Sequence, residues 1–289
     1  MEKKIQTNES SKVPPSEGFK EAYTLHLADN SLILGQRNAE WCGHGPILEQ
    51  DIAITNISLD LIGQARNFYQ YAAQIINNSQ NTEGSKVPSL PGVPEQSEWK
   101  EHSSVGGEAS EDTLAYLRKE REYKNCLLVE QPNGDWAQTM LRQYLFSQYQ
   151  YLLLQQLQNY KDEQIAAIAA KSLKEVAYHL RWSREWVIRL GNGTEESHKR
   201  MLKAIDELWR YTGEMFLPVA YEKETGIDFV TLKNEWLNKI NEIFSEATLP
   251  VPEKVYMQTG GKEGKHTEHL GYILTELQYL QRTYPGCEW

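Results

Sequence analysis

The chain has 289 residues, 40% of them hydrophobic, and 30 Lys and Arg against 40 Asp and Glu give a formal net charge of −10 at pH 7. That length supports a sizeable core, and the acidic balance argues against a dedicated nucleic-acid binder, which presents a basic face. There is no run of about 18 apolar residues to cross a membrane, no apolar segment of a secretory signal in the polar start MEKKIQTNESSKVPPSEG, and no CxxC pair among Cys42, Cys126 and Cys287, a pattern that suits reduced thiols in a cytoplasmic protein.

In chain order, residues 1–18 read as a disordered tail ahead of a helical domain over 19–289. Tyr23, Leu27, Leu32 and Leu34 mark a first helix over about 19–41, and Gly43, His44, Gly45 and Pro46 turn the chain, with Pro46 suited to the first position of the next helix. The second helix, about 47–76, is apolar around much of its circumference, as a central helix is, and carries Asp60 in its most apolar part. The stretch 79–108 is rich in Ser, Pro, Gly and Glu without a period and reads as a long loop insertion. A short helix over about 111–124 leads to an apolar run ending at Pro132.

A third long helix, about 133–160, is rich in aromatics, and after a very short turn a fourth runs from Asp162 to Leu190. Ile165, Ile168, Ala169, Leu173, Val176, Leu180 and Val187 give the fourth its three- and four-residue apolar spacing, Asp162 caps it, and Gly191, Asn192 and Gly193 end it with residues that tolerate positive φ. Further helices are expected over about 195–216, 229–247 and 266–283. Two long antiparallel hairpins separated by one long crossover predict an all-α fold, a ferritin-like four-helix bundle with flanking helices; a generic helical bundle is the alternative.

A di-iron bundle of that type takes one carboxylate from each of two helices and Glu-x-x-His from each of the other two. On the second helix Asp60 supplies an acid, but Gly63 stands at the His position; on the fourth Glu175 supplies an acid, but Tyr178 stands there, with His179 about 100° further round. Counting back through the two turns places Asp29 opposite Asp60, and Ser147 and Gln148 at the remaining position. Acids are kept and imidazoles lost, which suits a redox iron pair poorly. The expected centre is therefore a structural remnant of Asp29, Asp60, Gln148, Glu175 and Tyr178, with no metal ligand set and no catalytic residue. Its carboxylates need neutralising by shared protons, by hydrogen bonds from Tyr178 or Gln148, or by an internal Arg or Lys. The plain alternative leaves Asp29 and Glu175 on solvated faces.

Three other features draw attention. His266 and His269 at i and i+3 open the last helix, and the favoured reading is a helix start with a structural hydrogen-bond network. Gly260, Gly261, Lys262, Glu263, Gly264 and Lys265 could cradle a phosphate, though a turn is the commoner use. Glu40, Trp41, Cys42, Gly43 and His44 read as a helix end and tight turn, and the eight tryptophans as packing.

The segments NAEWCGHGPILEQDIAITNISLDLIGQARNFYQYAA, EDTLAYLRKEREYKNCLLVEQPNGDWAQTMLRQYLF, KEVAYHLRWSREWVIRLGNGTEES and TGGKEGKHTEHLGYILTELQYLQRTYPGCEW closely resemble the C-subunit family of the bacterial phenylacetyl-CoA epoxidases. The resemblance runs from about residue 20 to the C-terminus; 1–18 and about 79–108 depart from it, the family having a much shorter connection there. It implies a ferritin-like, non-catalytic subunit of a multicomponent oxygenase of phenylacetate catabolism. That subunit pairs with a homologous A subunit, which carries the di-iron site and binds substrate, while a reductase subunit with FAD and an iron–sulfur cluster delivers electrons. No cofactor is expected on this chain, and neither a nucleic acid nor a membrane is expected as a partner. The rivals are an autonomous ferritin-like oxidase built on His179, Glu175 and His266 or His269, and a helical adaptor unrelated to oxygenation. The helix 136–160 and the terminal helix from His266 are the expected contact faces.

Overall fold

A computed structural model describes residues 17–81, 109–285 and 287. The tail 1–16 and the insertion 82–108 lie outside the described residues, so the expectations placed on them are not addressed. Among the described residues the structure is all helix and turn: α1 (Glu17–Ala39), α2 (Leu48–Asn81), α3 (Glu111–Tyr116), α4 (Leu127–Glu130), α5 (Trp136–Leu157), α6 (Glu163–Gly191), α7 (Glu195–Leu208), α8 (Ala220–Lys223), α9 (Phe229–Glu246), α10 (Glu268–Leu277) and α11 (Tyr279–Thr283). The helix starts follow from local chemistry. Asp135, Asp162, Thr194 and Asp228 each accept a backbone N–H of the first turn of α5, α6, α7 and α9.

Several expected boundaries move. The first helix starts at Glu17, inside the expected tail, and α2 continues to Asn81. Pro46 lies ahead of α2, whose entry is held by the Gly45 amide donating to Asp51 at 2.9 Å. The helix expected over 111–124 stops at Tyr116, and the one expected over 195–216 breaks into 3-10 turns from Trp209. Gly191 and Gly193 are not at positive φ; Gly191 is small because a Cβ there would collide with the Ala247 carbonyl.

Four long helices form the bundle. Pairings across it fix their directions: Ser31 and Asn38 of α1 meet Gln150 and Gln143 of α5, while Asp60 and Gln64 of α2 meet His179 and Glu175 of α6. In both pairs residue numbers rise on one helix as they fall on the other, so each pair is antiparallel. With α1–α2 and α5–α6 as hairpins, α2 and α5 run the same way. The chain must therefore travel back along the bundle between them, about 1.5 Å per helical residue over a helix as long as α2, before α5 can start. The connectivity is that of a ferritin-like bundle.

The returning crossover lies along α1. The Lys124 amide donates to Asp29 at 2.7 Å, the Cys126 amide to Asn30 at 2.8 Å, and Arg37 donates twice to the Glu130 carbonyl. This is why α1 is buried almost all round from Ala22 to Asn38. Helix α5 is buried likewise, because α7 and α9 cover the side that the other bundle helices leave open. It is a central helix buried from Ala137 to Gln150, so of the expected contact face over 136–160 only Trp136 and the last turns, from Tyr151, are partly open. At one end Trp136 stands edge-on to Trp41, Trp182 and Trp186 at 5.1–6.0 Å, and the Trp182 and Trp186 indole N–H groups both donate to Gln50. These four indoles pack, as expected for them.

Candidate functional site

At one level of the bundle each of the four helices turns a polar side chain toward the middle. Gln150 of α5 donates from Nε2 to Gln64 Oε1 of α2 at 3.1 Å and lies 3.5 Å from the Ser31 hydroxyl of α1; Gln64 Nε2 donates to Glu175 Oε2 of α6 at 2.9 Å. Ser31, Gln64 and Gln150 are buried and Glu175 is half-buried at the α2–α6 seam. One turn along the same seam His179, fully buried, donates from Nε2 to Asp60 Oδ2 at 3.0 Å, while its Nδ1 has no partner.

The five residues expected at one centre are thus spread over separate neighbourhoods. Glu175 joins the amide relay and Asp60 pairs with His179. Gln148 is buried, but it stands about 200° round α5 from Gln150 and faces away from the relay. Tyr178 points outward, 38% exposed, with Arg181 over its ring at 5.8 Å; His179 takes the inward position instead. Asp29 is completely buried but faces the crossover. It receives the Arg118 guanidinium, the Tyr69 hydroxyl at 2.5 Å and the Lys124 amide. Its neutralising partner is therefore an internal arginine.

The groups at the middle do not fit an iron pair. A hydroxyl, two amides and one seam carboxylate, with Asp60 and His179 one turn along, fall short of the four carboxylates and two imidazoles that such a pair takes. Among the described residues no three of His, Cys, Asp and Glu come together closely enough to hold an ion.

A second polar network locks the C-terminal third to the crossover; it includes the structural hydrogen bonds expected of His266, while the burial of Glu130, Glu222 and Lys262 has no signal in the sequence pattern. Glu222 and Lys262 pair at 2.6 Å with both side chains buried. Glu130 accepts from His266 Nδ1 at 2.8 Å and from the Thr267 amide and hydroxyl, while His266 Nε2 donates to the Tyr123 carbonyl at 2.9 Å. With both ring nitrogens donating, His266 is an imidazolium. Burial lowers its pKa, but the Glu130 hydrogen bond and charge outweigh that and hold it raised. His26 is the opposite case. Its Nδ1 donates to the Lys124 carbonyl at 2.7 Å and its Nε2 accepts from Asn30 at 3.2 Å, and burial, with Lys262 nearby, holds its pKa down at about 3.

The Gly-rich turn does cradle an anion, but the anion is the chain's own. The Glu214 carboxylate accepts from the amides of Gly260 at 2.7 Å, Leu127 at 2.8 Å and Lys262 at 3.4 Å. Burial pushes its pKa up against those three donors. The phosphate-cradle reading of this turn is therefore set aside. His266 is committed to Glu130 and cannot join His179 and Glu175, so the rival oxidase site is not assembled from it. Arg118 sits in the charged run LRKEREYK, and nothing local separates it from its solvated neighbours. Gln64 did leave a signal: it interrupts the inward stripe Ile54, Ile57, Leu61, Phe68.

On its outer side α2 carries Leu48, Ile52, the half-buried Thr55, Leu59 and Ile62, spaced four, three, four and three residues apart. Leu48, Ile52 and Leu59 are each more than half exposed, and Ile62 is exposed as well. That is the a/d spacing by which one helix receives another.

A family model of phenylacetic acid catabolic proteins matches residues 6–289. The C subunit of the 1,2-phenylacetyl-CoA epoxidase of Escherichia coli strain K12 is 46% identical over 273 residues, spanning 93% of this chain and 98% of that protein.

Proposed function

Because the chain belongs to the phenylacetic acid catabolic protein family, we propose that it is the structural, assembly subunit of a multicomponent phenylacetyl-CoA 1,2-epoxidase. In this reading it pairs with a homologous catalytic A-type subunit that holds the di-iron centre. The electrons come from a reductase subunit with FAD and an iron–sulfur cluster, and no chemical step is assigned to this chain's own residues.

The observation that carries the reading is the a/d stripe of α2, which has no partner among the described residues. Large aliphatic residues repeating at heptad spacing on the outside of a bundle helix are costly in water and match a helix of another chain. The amide relay at the bundle middle agrees with it: the hydrogen bonds hold four helices in register but offer no ligand set.

The test is co-expression with the A-type homologue followed by size-exclusion chromatography. Wild type is expected to co-elute with it. Ile52→Glu with Leu59→Glu is expected to keep its helical content and thermal midpoint, since both positions are exposed, yet elute alone. Undiminished co-elution of that variant would remove the stripe from the interface.

A further inference from the structure

A cleft of about 380 Å³ lies where α7 and the turn after it meet the start of α5 and of α10. Lys203, Arg210, His269, Gln138 and Tyr211 converge on it, and Glu207 is the one acid in its lining. Lys203 lies 3.6 Å from Glu207. The side chains of Arg210, His269, Gln138 and Tyr211 make no hydrogen bond or ion pair with any described residue. In a chain with net charge −10 this is a local excess of positive charge and of unused donors.

The wall behind the cleft adds to it. Arg142 is fully buried and donates to the carbonyl of Gln131, a lining residue, at 2.5 Å and to Asn133 at 2.6 Å. No carboxylate among the described residues pairs with it, and its Nε has no partner. A second guanidinium, Arg37, donates to the His269 carbonyl at 3.3 Å, its own charge being met by Glu40 at 2.9 Å. Arg142 is held by neutral oxygens, with the Glu40 charge nearby, so its burial remains costly and a further anion close to it would be favoured.

We propose that this cleft binds a phosphate ester. Arg210 offers the planar fork that grips an oxyanion with two hydrogen bonds, Lys203 adds charge, and the His269 ring is a further polar group of the lining. The volume exceeds what a bare phosphate needs, and Pro132 with the Tyr211 ring gives the organic part an apolar wall. The proposal is independent of the stripe on α2 and of its role in assembly.

The full-length chain is titrated with inorganic phosphate and with phenyl phosphate at constant ionic strength, by calorimetry and by 31P line broadening. Saturable binding of phenyl phosphate is expected, with inorganic phosphate weaker; equal affinity would assign the site to the free anion and overturn the ester. Arg210→Gln is expected to weaken binding about tenfold or more, the loss of one bidentate charged contact. Lys199→Gln, whose lysine pairs with Glu195 outside the cleft, is expected to leave binding unchanged. No saturable binding by either probe, or equal binding by Arg210→Gln, overturns the proposal.

Discussion

Asp29 and Arg118 meet with neither side chain open to water. Removing one charge leaves the other buried and alone, so Asp29→Ala is expected to cost on the order of 3–5 kcal/mol in urea unfolding. Asp29→Ala with Arg118→Met should recover part of that, and wild-type stability in the single variant would deny the pair its role. Two of the buried histidines, His26 and His266, set opposite pH limits. The folded pKa of His26 is depressed to about 3, so below the unfolded value of about 6.5 the unfolded chain gains a proton that the fold refuses, and stability falls with pH. The folded pKa of His266 is raised, so its contribution is complete below about 6.5 and is lost as pH rises through the raised value. Thermal midpoints from pH 5 to 9 should show both limbs (the range is about two units either side of 7). His266→Gln should flatten the alkaline one, and an unchanged alkaline limb would mean that His266 is not held as an imidazolium.

At the scale of elements, the turn Gly261–Glu263 and its flanks act as a clasp. Gly264 sits at φ +78, and a Cβ there would run into the Arg121 carbonyl. Gly264→Ala is expected to destabilise the chain by about 1–3 kcal/mol. Gly63, exposed in the middle of α2 with nothing near a new Cβ, makes the opposite case: Gly63→Ala should stabilise by about 0.5–1 kcal/mol. Chemical denaturation of both variants checks the contrast, and a change of the same sign in the two would refute it. The long helices were legible because their apolar spacing and caps are local properties, as α6 shows from Asp162 onward. The bundle centre was less so. Counting back from the turns assumes that neighbouring helices leave a turn symmetrically, and it reached Asp29 and Gln148 where the relay uses Ser31 and Gln150. The interruption of an apolar stripe by Gln64 was the more direct signal.

For the whole molecule, the order of two hairpins and one crossover was readable because turn lengths and helix lengths constrain which helices lie side by side. The ionic clasp was not. Arg118, Glu130, Glu222 and Lys262 become buried only when segments far apart in sequence close over one another, and each looks like a surface charge in its own stretch. The same burial makes the crossover and the C-terminal third one unit with α1, and among the described residues the outer face of α2 stays an open apolar helix face. A chain built this way is expected to support a partner's chemistry and to hold no iron of its own. The direct test is iron content by mass spectrometry after expression of the chain alone in iron-rich medium. Iron near zero per chain is the expected result. About two irons per chain, lost in Glu175→Gln, would show that the bundle centre is a working metal site and contradict the account.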